Sequence, residues 1–188
     1  MPFIIIGALI AVVVMQAIFV QRKLAVMGEN INNAMKQIGV QLSSRFEILT
    51  AFMGVIKKYD ANEYHLLAEM MKFRYRDITE MSTPDDVTAQ EENFSEVRSR
   101  ISGTAERYPA LIADKEYIKC MDALECYEKM LRTSCLIYND SVTAFNRVLH
   151  KFPGALLARA LGFRQKAYLN VFGTMKDMSG MEYKEIVQ

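Results

Sequence analysis

His65 and His150 are the only imidazoles in the chain, and in a helical protein the metal chemistry they could serve is that of a di-iron centre. Such a centre needs Glu-x-x-His on two helices and further glutamates on the helices facing them. Asn62 stands three residues before His65 and Arg147 three before His150, so neither makes the motif. The sequence also has no Gly-rich phosphate loop, no serine nucleophile elbow and no H-E-x-x-H. Cys120, Cys126 and Cys135 lie six and nine residues apart on one predicted helix. An odd count at those spacings makes neither a disulfide framework nor a metal knuckle, and the three read as small residues of a reduced domain. The expectation is therefore no catalytic, cofactor-binding or metal-ligating residue, no cofactor and no enzyme.

Two charges interrupt otherwise apolar seams and are the more informative polar residues. At 4-3 spacing the first third of the chain reads Ile31, Met35, Ile38, Leu42, Arg45, Leu49, Phe52, Ile56, apolar but for Arg45. A later stretch reads Tyr117, Met121, Leu124, Glu128, Leu131, Cys135, Tyr138, Val142, Phe145, Leu149, Phe152, broken only by Glu128. Each is the seam of a helix packed in a bundle or coiled coil. Setting Ile56 level with Tyr117 or Met121 in an antiparallel pair brings Arg45 level with Glu128. The two are expected to form an interhelical pair that fixes register; the alternative is two snorkelling rim charges. Asn139 and Asn146, one heptad apart beside the second seam, are candidates to bond helix ends or the C-terminal tail, or to face a partner.

The elements that must position these residues follow from the rest of the pattern. Phe3 to Val20 carries no charge and spans about 27 Å as a helix, close to the hydrocarbon thickness of a bilayer. No small-x-small cleavage site follows it, so a retained anchor over residues 1–23 is expected rather than a signal peptide. Arg22 and Lys23 follow the run and nothing charged precedes it. The positive-inside tendency puts the N terminus outside and the domain in the cytoplasm of a single-pass cell-membrane protein. The same helix runs on to Ile56. Asp60 and Glu63 match a capping box for a second helix over 61–81, Ser82-Thr83-Pro84 marks a turn, and a charged third helix covers 85–107. The fourth helix, 115–152, is stopped by Pro153-Gly154.

Four such helices predict an all-α fold: a transmembrane helix continuing into an antiparallel up-and-down four-helix bundle over 24–170, with a tail at 171–188. Basic and acidic residues number 23 and 22, so the domain has no electrostatic footprint for nucleic acid. Charge is uneven at one end, however. Between Ser141 and Lys176 there is no acid, while Arg147, Lys151, Arg159, Arg164, Lys166 and Lys176 are basic. Up-and-down topology returns this segment to the bilayer beside Arg22 and Lys23. Contact with anionic headgroups through Arg22, Lys23, Arg147, Lys151, Arg159, Arg164 and Lys166 is expected, against the alternative of a merely solvated face.

Two stretches carry a family resemblance. The first is Ala34-Met35-Lys36-Gln37-Ile38-Gly39-Val40-Gln41-Leu42-Ser43-Ser44-Arg45. The second is Arg107-Tyr108-Pro109, Glu128, Tyr138-Asn139-Asp140-Ser141-Val142-Thr143-Ala144-Phe145-Asn146, Phe152-Pro153, Ala158 and Gly162-Phe163. Together, over about residues 20–170, the chain resembles the LemA family of bacterial membrane-anchored helical proteins. Members usually carry Trp where Met35 stands and Asp where Gly39 stands. The resemblance implies an antiparallel bundle tethered to the inner membrane and no enzyme activity. The function expected is that of a non-catalytic interaction or scaffold protein at the cytoplasmic face of the membrane. Its partners would be the lipid bilayer and an unidentified protein, a second copy included, but no nucleic acid. The alternative is an enzyme or a small-molecule or metal-binding bundle using polar groups between helices.

Overall fold

The structure is a computed structural model that describes residues 2–74, 76–151 and 154–170, so the tail at 171–188 lies outside the described residues. Six helices and no strand occur among them: α1 (Pro2–Ile56), α2 (Ala61–Arg74), α3 (Pro84–Arg107), α4 (Pro109–Ile112), α5 (Lys115–His150) and α6 (Gly154–Ala160). The first helix is unbroken for 55 residues, about 82 Å at the helical rise. It is long and apolar enough near its start to cross a membrane. The large apolar side chains from Phe3 to Phe19 face outward, Phe3, Ile4, Leu9, Met15 and Phe19 among them, and burial begins at Val20 and Leu24.

From there the 4-3 spacing does what it predicts. All eight seam positions of α1 from Ile31 to Ile56 are buried, Arg45 among them. They pack on α5, where Tyr117, Leu124, Leu131, Cys135, Tyr138, Val142 and Phe145 are buried and Met121 is exposed. The late part of α1 meets the early part of α5: the Phe52 and Tyr117 rings meet edge-on at 5.2 Å, and Lys58 pairs with Glu116 at 2.5 Å. The early part of α1 shares an apolar cluster with the late part of α5, joining Val20, Leu24 and Ile31 to Tyr138, Phe145, Ala158 and Leu169.

Helix ends are closed locally. Asp60 caps α2 by accepting from the Glu63 N–H (3.0 Å), and Asp114 caps α5 by accepting from the Glu116 N–H (2.7 Å). For α3 the reciprocal box belongs to Thr83 and Asp86: the Asp86 N–H donates to Thr83 Oγ1, and the Thr83 N–H donates to Asp86 Oδ2 (2.7 Å). Glu63, the expected second half of the α2 box, instead turns to α3 and receives Arg100 (2.5 Å) and Arg107 (3.0 Å).

The helix expected over 61–81 stops at Arg74. Residues 76–79 are non-helical and cross α1, with Ile78 buried against it. Two distant groups take this backbone out of the helix. The Arg76 N–H donates to the side chain of Gln90 at 3.1 Å, and the Ile78 carbonyl occupies the space beside Gly39 where any other residue would carry its Cβ.

Candidate functional site

Two clusters of polar side chains stand out, one that divides the core and one on the surface at its basic end. Below Leu42, Val87 and Leu131 lies one apolar cluster, and beyond Phe46, Phe94 and Leu124 lies another. Between these levels stand Arg45 on α1, Gln90 and Glu91 on α3, and Glu128 on α5. Arg45 Nη1 donates to Glu91 Oε1, and its guanidinium lies 3.7 Å over the Phe94 ring. Its Nε, with Gln41 Oε1 and Gln90 Nε2, has no hydrogen-bond partner among the described residues.

Arg45 and Glu128 therefore share a level, but the expected direct pair is replaced. Glu91 reaches Arg45 first, and Glu128 is taken by Arg98 (3.2 Å) and Arg132 (3.1 Å). The physical reason is burial: Arg45 is only 2 % exposed and needs a counter-charge inside the bundle, whereas Glu128 sits at the rim within reach of two solvated arginines. Burial also dominates the titration of the inner pair. It lowers Arg45 and raises Glu91 despite their mutual attraction. Burial would raise Glu128 as well, but the Arg132 hydrogen bond and the field of Arg98 and Arg45 outweigh it, and its carboxyl is held low. Glu91 was missed because α3 looked too polar to carry a seam. Its own 4-3 series, Val87, Glu91, Phe94, Arg98, Ile101, has two charged breaks, and they are the partners of Arg45 and Glu128.

The second cluster is the basic end of the domain. α6 packs on α5 and on α1, and its buried Ala158 shares one apolar cluster with Val20 and Leu24, where burial of α1 begins. Arg22 and Lys23 lie between those two buried residues and are exposed, as are Arg147, Lys151, Arg159, Arg164 and Lys166. Apolar side chains stand out among them, Leu156 at 66 % exposure and Leu161 at 40 %. An open cleft of about 570 Å³ runs between His150, Leu156, Arg159, Phe163 and Arg164.

Residues 163–170 then return along α5 in extended form. Asn146 and Asn139, paired with the backbone of Lys166 and Leu169, hold them there. Of the roles open to the two asparagines, bonding to the segment after α6 is the one the structure displays.

No group of three or more His, Cys, Asp or Glu that could hold a metal ion occurs among the described residues. Cys135 is buried and its thiol is pushed up to about 12, first by desolvation and then by the field of Glu91.

The LemA family model matches residues 34–179, which span the α1 seam from Met35 on, the α5 seam, the charge layer and the returning segment, and the chain belongs to that family. A search of curated proteins finds no match. At Gly39 the Ile78 carbonyl oxygen lies 2.0 Å from an ideal Cβ, so an Asp there has no room.

Proposed function

We propose that the protein is a non-catalytic helical bundle tethered to the cell membrane by Phe3–Phe19, acting as an interaction or scaffold protein at the cytoplasmic face. In this reading α1, α2, α3 and α5 form an antiparallel up-and-down bundle whose basic end rests on the lipid. The observation that carries it is the coincidence at Val20. The exposed apolar stretch of α1, about 25 Å long, ends at Val20, which shares an apolar cluster with Ala158 of α6, and cations of α1, α6 and the segments beside α6 are exposed at this end. Leu156 and Leu161 are placed to enter the headgroup layer, and each nearby cation adds about 1 kcal/mol on an anionic leaflet. Arg22 and Lys23 orient the chain with its N terminus outside.

The test uses the full chain in vesicles with an environment-sensitive dye on Leu156→Cys. Blue-shifted emission with anionic lipid, lost on changing Arg159 and Arg164 to Glu, is expected. Emission typical of water in every lipid would overturn the seating on headgroups. Protease access in sealed vesicles and intact cells reads orientation separately, and cleavage of the bundle from outside the cell would reverse it.

A further inference from the structure

Most hydrogen bonds that hold the extended residues 163–170 go to their backbone. Asn146 Nδ2 donates to the Lys166 carbonyl while its Oδ1 accepts from the Lys166 N–H, both at 2.9 Å. Asn139 repeats the arrangement with Leu169 at 3.0 and 2.9 Å, and Tyr138 OH donates to the Ala167 carbonyl at 3.1 Å. A carboxamide offers a donor and an acceptor side by side, as a strand edge does. Seven residues of helix rise about 10.5 Å and three residues of extended chain about 10 Å, so both amides pair in register.

What this face of α5 recognises is correspondingly general. Five hydrogen bonds go to main-chain atoms. Leu169 alone from Arg164 to Asn170 is buried, while its neighbours on the segment are exposed. The surface thus reads chiefly an extended backbone, with two apolar side chains seated at its ends, Leu169 in the core cluster and Phe163 edge-on to Phe145 at 6.4 Å; Gln165 beside His150 and Tyr168 beside Thr143 add contacts at the exposed rim. The occupant is attached at one end by a sharp turn: Gly162 adopts φ 81° and closes α6, with its own N–H on Arg159 and the Phe163 N–H on the Ala158 carbonyl. A short tether of this kind keeps the segment at an effective concentration on the order of millimolar.

We propose that this face of α5, Tyr138, Asn139, Asn146 and the Leu169 socket, is a binding site for an extended segment of another polypeptide, with residues 163–170 as the tethered occupant that must lift away first. This names the chemistry of the partner in the interaction role proposed above and rests on that reading. Its test is made in detergent, without a bilayer, so it fails independently of any seating on lipid. Occupancy in cis lowers apparent affinity in trans by the fraction of sites left open.

The probe is a fluorescent octapeptide copying residues 163–170, titrated by anisotropy into the full chain in detergent. Leu169→Asp releases the occupant, and binding about tenfold tighter than to the unmodified chain is expected. Lys166→Pro deletes one N–H of the occupant while leaving α5 and the core in place; it should show the same rise, which covers the case that Leu169→Asp loses its helical content. Peptide N-methylated at the two amides matching Lys166 and Leu169 should lose about tenfold or more, and Asn139→Leu with Asn146→Leu should abolish binding. A peptide with its exposed residues scrambled but the Phe and the Leu kept should bind within a few-fold. Equal binding by the loosened and unmodified chains, indifference to N-methylation, or loss of binding on scrambling would each overturn the proposal.

Discussion

The carbonyl oxygen of Ile78 lies 2.0 Å from where Gly39 would carry a Cβ, so a crossing segment rests directly on the backbone of α1. Gly39→Ala gains up to about 1 kcal/mol of helix propensity but must push this backbone away. The net expectation is a loss of about 1–3 kcal/mol, read as a lower urea midpoint in detergent. Faster hydrogen exchange at 76–83 should accompany it; a stabilised variant with unchanged exchange would contradict the contact.

Removing one member of the inner ion pair strands the other. Arg45→Met alone is expected to destabilise by about 3–5 kcal/mol, while Arg45→Met with Glu91→Leu should fall close to the parent chain. Glu128→Gln, whose partners are half-exposed arginines, should lose no more than about 1 kcal/mol. A double-mutant cycle that couples Arg45 to Glu128 more strongly than to Glu91 would reverse the assignment.

Burial alone would raise the Glu63 carboxyl, but hydrogen bonds from Arg100 and Arg107 outweigh it and hold it low. A carboxyl held low in the folded state adds stability above its unfolded pKa, near 4.3, and that stability is lost as pH falls through the folded value. Thermal midpoints measured downward from about pH 5 should fall, and Glu63→Gln should flatten the decline.

Glu91 runs the other way, because burial raises it. Its contribution is full below the unfolded pKa and lost as pH rises through the folded value. Glu91→Gln should therefore flatten any decline in midpoint above the ordinary carboxylate range. An unchanged profile in that variant would count against so deep a burial of the carboxylate.

The cysteines should separate by access. Cys126 is exposed and should react with maleimide in the native chain, whereas Cys135, buried with its thiol pushed up to about 12, should react only on unfolding. Mass spectrometry of peptides from native and denatured labelling distinguishes them.

What could be read beforehand was what one helix face dictates. The α1 seam was legible down to buried Arg45, because eight residues at 4-3 spacing on an uninterrupted helix must share a side. The α5 seam was legible too from Tyr117 to Phe145, apart from exposed Met121 and half-buried Glu128, while Phe152 lies outside the described residues. Contacts across long separations were hidden. The end of α2 at Arg74 depends on Gln90 and Gly39, which no local pattern near residue 74 encodes. Glu91 could have been found by treating the charges of α3 as breaks in a seam rather than as solvated positions. The asparagines were singled out by spacing alone, but their match to an extended segment needed the turn at Gly162.

The continuity of α1 has a mechanical consequence. Val20 and Ile56 belong to one helix, and its end stands about 55 Å beyond Val20, where burial begins. Just past Ile56, Tyr59 and Asp114 tie the end of α1 to the start of α5 through a 3.2 Å hydrogen bond, and Tyr108 is bound to Asp60. With Phe3–Phe19 seated in lipid as proposed, a tilt of the anchor has no joint in which to dissipate. It swings the far tip through an arc in proportion to that length, which makes the molecule a lever whose short arm is in the bilayer.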